Sequence, residues 1–205
     1  MRRAVTSVHD GRRSARPPTI AGPDDIVRRM RSLVVPLVCL AIAGCAGLRT
    51  PPAAPITASA DVKNPQGQTV GTATLSQVTG AVRVILEVRG LPPGQKGVHI
   101  HAVGKCDPPD FNSAGAHFSP DGKQHGLQNP QGPHAGDLPN ITIGPDGSGR
   151  LESTNDRIAL AAGATSVFDA DGSAIVIHAA ADDFKTDPTG NSGARIACGI
   201  ISKTR

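Results

Sequence analysis

Residues 97–106, with the sequence GVHIHAVGKC, place two histidines one residue apart in an otherwise apolar run. Apolar runs of this kind are typical of buried strands, in which residues i and i+2 project from the same face. His99 and His101 therefore point in the same direction and have the arrangement of a metal-binding pair. A single buried histidine is more often a hydrogen-bonded core residue, but two on one face favour a metal site.

The rest of the chain alternates short apolar or β-branched runs with Gly, Pro and Asp-Gly turn signals, which indicates an all-β protein. Aromatic residues are scarce, with four Phe and no Trp or Tyr, so the core must consist of Val, Ile, Leu and Ala. We expect about eight strands in an antiparallel β-sandwich or barrel. The expected strands are 56–63, 69–78, 81–88, 96–102, 140–143, 150–154, 174–178 and 195–201.

Two long segments, 107–138 and 179–194, interrupt this spacing, and loops of such length in a compact domain are often functional. Within 21 residues the first loop contains His117, His125, His134 and Asp137. Three imidazoles and one carboxylate suit a tetrahedral zinc ion, which would stabilise a loop that buries little apolar surface. A solvated polar loop with incidental histidines is the alternative.

The N-terminal region has the organisation of an export signal. Eight arginines lie in residues 1–31, and a short apolar run, 33–43, follows them. That run is about half the ~20 residues needed to span a bilayer, so it fits a cleaved secretory signal. It ends in IAGC, which resembles the bacterial lipobox, in which the cysteine becomes the lipidated first residue of the mature protein.

We therefore expect residues 1–44 to be a leader and lipoprotein signal peptide, with Met30 as the candidate true start. Residues 45–55 then form a Pro/Ala-rich tether from lipidated Cys45, and residues 56–205 form the folded domain. An ordinary cleavage site before Cys45 and a twin-arginine signal at Arg28-Arg29 are the alternatives. This organisation predicts a lipid anchor in a bacterial cell envelope, either periplasmic or on the outer face of the plasma membrane.

The basic character of the chain belongs mostly to this leader. Of 21 Lys and Arg residues, eight precede Cys45, and of 17 Asp and Glu residues, three do. The remaining 13 basic and 14 acidic residues give the mature chain a formal net charge of −1. We therefore expect no nucleic-acid partner.

The four cysteines divide between the signal and the domain. Cys39 is removed with the signal and Cys45 is the expected anchor, which leaves Cys106 and Cys198. In an exported protein such a pair favours a disulfide, which would close a loop of about 90 residues and stabilise the fold by ~4–5 kcal/mol in the chain-entropy model. Two separate buried thiols are the alternative.

Five segments together resemble the copper/zinc superoxide dismutase family. They are GVHIHAVGKC (97–106), SAGAHFSPDGKQHG (113–126), GPHAGDLPN (132–140), AIVIHAAADD (174–183) and GARIACGII (193–201). The resemblance covers roughly residues 56–203. It implies a Greek-key barrel that uses copper and zinc to convert superoxide to oxygen and hydrogen peroxide.

The resemblance also implies two metal sites that share one histidine. The implied copper ligands are His99, His101, His117 and His178. The implied zinc ligands are His117, His125, His134 and Asp137. Together they use all six histidines that lie outside the leader.

Further residues match the family pattern. Arg195 resembles the arginine beside the copper and, with the shared His117, is a candidate catalytic residue. Asp182 resembles the carboxylate that links the copper and zinc ligands, with Asp183 as a less favoured substitute. Cys106 and Cys198 match the family's intrachain disulfide.

One loop departs from the family pattern, and one alternative function and the oligomeric state stay open. Segment 179–194 is short and has Lys185 as its sole lysine against three aspartates, so we expect modest steering of superoxide. A non-enzymatic copper-binding or delivery module on the same scaffold is the main alternative function. A copper-only dismutase would lack the implied zinc ligands, and the sequence leaves homodimerisation open.

Overall fold

A computed structural model describes residues 54–204. The signal sequence, the start at Met30 and the lipidated Cys45 concern residues outside that range. The described part of the chain contains ten strands and one short 3-10 turn, Asn112–Ala114. No helix between residues 54 and 204 is long and apolar enough to cross a membrane.

The strands are short and follow the sequence pattern closely. They are β1 (Thr57–Lys63), β2 (Thr69–Val78), β3 (Ala81–Val88), β4 (Gly94–Lys96), β5 (Val98–His101), β6 (Ile141–Ile143), β7 (Gly149–Asn155), β8 (Ala174–His178), β9 (Arg195–Ile200) and β10 (Ser202–Lys203). The prediction of an all-β fold is confirmed.

All strand pairs in the sheet are antiparallel, and their order is β4-β6-β7-β3-β2-β1-β9-β8-β5, with β10 paired to β1. Strands β1 to β3 form a meander. The connection from β3 to β4 then skips β7 and β6, which is the out-of-sequence connection of a Greek key. The two ends of the order, β4 and β5, are consecutive in the chain, so the sheet curls into a nearly closed barrel.

A single residue, Gly97, separates β4 from β5. Lys96 on β4 pairs with β6, whereas Val98 on β5 pairs with β8 at the opposite end of the strand order. At this change of partner the N–H of Gly97 donates to the carbonyl of Ala180, and its own carbonyl accepts from the N–H of His178. The position requires glycine because a Cβ would lie 2.8 Å from the Cβ of Ser192. The single strand predicted over residues 96–102 is therefore two strands, and a change of partner leaves no trace in sequence periodicity.

The barrel interior is filled by aliphatic side chains from alternate strand positions. On β3, for example, Val82, Val84 and Leu86 are fully buried while Arg83 and Glu87 face outward. Strands β5 and β8 differ, because every one of their residues is buried. One face of each packs on the barrel core, and the other is covered by the two long loops. The histidines of β5 lie on this covered outer face.

The first loop begins at a disulfide that fastens it to the barrel. Cys106 and Cys198 are bonded, with their Cα atoms 5.7 Å apart and 92 residues apart in sequence. Phe111 packs beside this bridge in a small apolar cluster on β8 and β9. The disulfide expected from the sequence is confirmed, and it fixes the loop at the point where it leaves β5.

Substituting Gly97 tests the change of strand partner at the barrel closure. A Cβ at this position would lie 2.8 Å from the Cβ of Ser192, so Gly97→Ala should lower the free energy of unfolding by about 1–3 kcal/mol through overpacking. Gln95→Ala, at an exposed position of β4, is the matched control. Equal stability of the two variants in denaturant titrations would contradict this role for Gly97.

Candidate metal centre

Four buried histidines meet on the outer face of the barrel. His99 and His101 come from β5, His178 ends β8, and His117 lies in the first loop, which pairs with β5 at His101. One ligand atom from each histidine lies within 4.8 Å of those of the other three. The strand pair and the loop thus gather four imidazoles in a single cluster.

One nitrogen of each imidazole in this cluster has no hydrogen-bond partner among residues 54–204. These nitrogens are buried, and an unpartnered buried polar atom is costly. They are His99 Nδ1, His101 Nε2, His117 Nε2 and His178 Nε2. A shared metal ion would satisfy all four, and a set of imidazole donors suits copper.

The opposite nitrogens of the three strand histidines are hydrogen-bonded. His101 Nδ1 donates to the carbonyl of Gly115 at 2.9 Å, and His178 Nδ1 donates to that of Gly193 at 3.0 Å. His99 Nε2 lies 2.8 Å from Oδ2 of Asp182. These acceptors keep the proton on the far nitrogen of each ring, so the lone pair of the other nitrogen faces the cluster.

A second group of donors surrounds Asp137. Its Oδ1 lies 3.2 Å from His117 Nδ1, 3.0 Å from His125 Nδ1 and 3.4 Å from His134 Nδ1. The Nδ1 atoms of His117 and His134 are 3.4 Å apart. A tetrahedral ion with bonds of about 2.0 Å separates its ligand atoms by ~3.3 Å, so this spacing fits zinc.

A ligand atom of His99 also lies within 4.8 Å of ligand atoms of His117, His125 and Asp137, so distance alone would include His99 in the second donor group. Its Nε2 is hydrogen-bonded to Asp182, however, and its Nδ1 belongs to the four-histidine cluster. The ring that completes the second donor set is therefore His134.

The charge states of the four-histidine cluster and of Asp137 suit metal binding. Burial lowers the pKa of His99 to about 3, of His101 to about 2 and of His178 to about 4, because a charged imidazole would lose its hydration. Burial alone would raise the pKa of Asp137, but hydrogen bonds with three histidines outweigh it and hold the pKa well below the usual range. At neutral pH the cluster thus offers neutral imidazoles, and the second group includes a carboxylate.

Asp182 connects the two groups from outside. Its Oδ2 contacts His99, its Oδ1 lies 3.0 Å from Nε2 of His125, and the N–H of Phe184 donates to the same Oδ1. Asn140 holds its backbone through two reciprocal hydrogen bonds of 2.9 Å. The neighbouring Asp183 instead accepts hydrogen bonds within its own turn, so only Asp182 bridges the histidines.

Arg195 lies beside the four-histidine cluster. Its Nη1 donates to the carbonyl of Phe111 and its Nη2 to that of Gly115, both at 2.7 Å. The Gly115 carbonyl also accepts from His101, so one carbonyl links the guanidinium to a cluster histidine. A cavity of about 480 Å³ opens here and is lined by Asn112, Gly115, Ala116, His117, Ser119, His134, Pro188, Thr189 and Arg195.

Sequence reasoning did not find several residues that support the site. The carbonyls of Gly115 and Gly193 carry no residue-type signal, so no motif could have identified them. Asn140 is the last residue of the segment GPHAGDLPN (132–140), but its contact with Asp182 spans 42 residues. Asn155 and Arg157, which contact the turn from His134 to Asp137, belong to no motif.

Comparisons with known proteins agree with this arrangement. The family model described as copper/zinc superoxide dismutase (SODC) matches residues 69–201. A superoxide dismutase [Cu-Zn] of Aquifex aeolicus is 49% identical over 144 residues, which cover 69% of this chain and 85% of the relative. One from Deinococcus radiodurans is 44% identical over 185 residues, covering 82% and 94%.

Solved structures lead to the same family. The crystal structure of a double mutant of a SOD-like protein from Bacillus subtilis matches with a TM-score of 0.67 and 41% identity, over 69% of this chain and 94% of that one. The Greek-key barrel and its two groups of metal-donor side chains define a β-barrel metalloprotein. The chain belongs to the copper/zinc superoxide dismutase family.

Replacing Asp182 tests the link between the two donor groups. In Asp182→Asn an amide N–H₂ would face one of the imidazole N–H groups, so zinc affinity should fall by roughly 10- to 100-fold. Asp183→Asn, which removes the same charge one residue away, should bind zinc like the unaltered protein. Competition against a chromophoric chelator measures both affinities, and equal losses in the two variants would contradict the bridging role.

Proposed function

We propose that this protein catalyses the dismutation of superoxide to oxygen and hydrogen peroxide at a copper ion that shares a histidine with a zinc ion. The copper ligands would be His99, His101, His117 and His178. The zinc ligands would be His117, His125, His134 and Asp137. The observation that carries the proposal is the set of four buried, unpartnered imidazole nitrogens, one from each copper ligand.

The reaction needs an electron relay and two protons, since two superoxide anions and two protons give one oxygen and one hydrogen peroxide. Copper, when bound, supplies the one-electron oxidation and reduction, and zinc supplies a fixed positive charge. His117 offers one nitrogen to each donor group, and the contacts of its Nδ1 with the second group hold the ring in place. Its Nε2 would hold a proton when it is released from the cluster and donate it to the reduced substrate.

Arg195 would bind and orient the superoxide anion. The carbonyls of Phe111 and Gly115 fix its guanidinium at the cavity beside His117. A fixed guanidinium offers both a positive charge and forked N–H donors to a small anion. Substrate attraction would therefore depend on this one half-buried charge more than on the surrounding loop.

The aspartates of loop 179–194 support this view of steering. Hydrogen bonds from Thr186, Lys185 and Asn191 lower the pKa of Asp183 to about 2, and Asp187 accepts the backbone N–H of His125. Asp183 accepts hydrogen bonds from residues of its own loop, and Asp187 connects that loop to the proposed zinc ligand His125. Asp183 stays negative, so the loop would add little attraction for an anion.

The cellular location is part of the same proposal. Residues 1–44 would be the leader and signal, Cys45 the lipidated residue, 45–55 the tether and 56–205 the enzyme domain in a bacterial envelope. The signal organisation in the sequence supports this location. Membrane fractionation tests it: a Cys45→Ala variant should move from the membrane to the soluble fraction, and an unchanged distribution would contradict the anchor.

Superoxide decay in the presence of the purified protein, loaded with copper and zinc, tests the activity. His117→Ala should lose roughly 100-fold or more of the copper-dependent rate, because both the shared ligand and the proton carrier are removed. Arg195→Ala should lose roughly 10-fold or more through weaker anion binding. Arg150→Ala, which removes an exposed arginine, should keep the full rate. Tight copper binding without catalysed decay would instead indicate a copper carrier.

A further inference from the structure

The turn from His134 to Asp137 supplies two of the four proposed zinc ligands and lies flat against β5. A Cβ at Gly136 would lie 2.2 Å from the carbonyl oxygen of Ile100, so only glycine fits there. Oδ2 of Asp137 accepts the N–H groups of His134 and Gly126, at 3.0 and 2.9 Å. Its Oδ1 is thereby aimed at the three histidines.

Every carbonyl of this turn accepts a hydrogen bond, and most of the donors lie outside both long loops. Gly136 O accepts from the N–H of Ile100 at 2.9 Å. Ala135 O accepts from Nδ2 of Asn155 at 2.8 Å. The remaining two are held by Arg157, whose Nε donates to His134 O at 3.3 Å and whose Nη2 donates to Asp137 O at 2.9 Å.

Asn155 and Arg157 form one unit, which we call the β7 clamp. Asn155 is fully buried at the end of β7, and its Oδ1 accepts the backbone N–H of Arg157 at 2.8 Å. The side chain of Arg157 is partly buried, with 28% of it exposed. Its neighbour Asp156 is 75% exposed and 3.4 Å away, so that ion pair contributes little.

The fork of the guanidinium explains why arginine occupies this position. Nε and Nη2 lie on one edge of a rigid plane and can reach two carbonyls at once, which the single ammonium of lysine does with difficulty. The two carbonyls belong to His134 and Asp137, the first and last residues of the turn. Holding both fixes the separation of the two ligands before any metal binds.

We propose that Arg157, oriented by Asn155, is a positioning residue that forms the zinc half of the site in advance, without contacting the metal. This inference rests on the proposed assignment of the Asp137 group to zinc. Partners that orient metal ligands typically contribute 10- to 100-fold to metal affinity. The clamp should therefore determine zinc affinity while leaving the copper histidines of β5 and β8 almost unaffected.

Zinc and copper affinities of the full protein, each measured by competition with a chromophoric chelator, test the proposal. Arg157→Ala should lower zinc affinity by roughly 10- to 100-fold and copper affinity far less. Arg157→Lys keeps the positive charge and is the milder substitution. Its zinc affinity should lie between that of the unaltered protein and that of Arg157→Ala. Arg150→Ala on β7 is the control for loss of an arginine.

Amide hydrogen exchange of the metal-free protein gives a readout that does not depend on zinc. The N–H groups of His134, Gly136 and Asp137 are hydrogen-bonded here, and they should exchange faster in both Arg157 variants. Unchanged exchange, unchanged zinc affinity, or a parallel loss of both metals would overturn the role of Arg157. Failure of the unaltered protein to bind zinc, with exchange accelerated in the variants, would instead contradict the proposed function.

Discussion

Four buried imidazole nitrogens without hydrogen-bond partners are the constraint on which the rest of the described structure depends. Each would cost free energy if left alone, and one bound cation would satisfy all of them. The opposite nitrogens of His101 and His178 are tied to backbone carbonyls, so these rings cannot turn away without losing a hydrogen bond. The four imidazoles are therefore arranged to bind a cation, since no neighbouring protein group in the described structure satisfies these nitrogens.

Both the barrel and the two long loops hold the histidine cluster in place. Strands β5 and β8 provide a rigid platform, since they are buried on both faces. The loops bury few large apolar side chains, and polar contacts take the place of a core. Asp182 joins the second loop to the first through His125 and to β5 through His99. The disulfide fixes the start of the first loop, and the β7 clamp fixes its last turn.

Sequence reasoning reached the parts of this structure that depend on residue type and short spacing. The alternation of His99 and His101 predicted a shared face, and the alternation of apolar residues predicted most strands. It could not reach the division of one predicted strand at Gly97, because a change of strand partner preserves the period of two. It also missed Arg157, whose contacts with the metal-binding turn join residues about 20 positions apart through backbone atoms.

The most direct test of the account is a crystal structure of the protein loaded with copper and zinc, with the two metals distinguished by anomalous scattering. The account predicts two ions, with Nε2 of His117 bound to copper and Nδ1 of the same ring bound to zinc. Copper would also contact His99, His101 and His178. A structure in which His117 binds only one metal, or in which both ions occupy the Asp137 group, would contradict the shared-histidine centre.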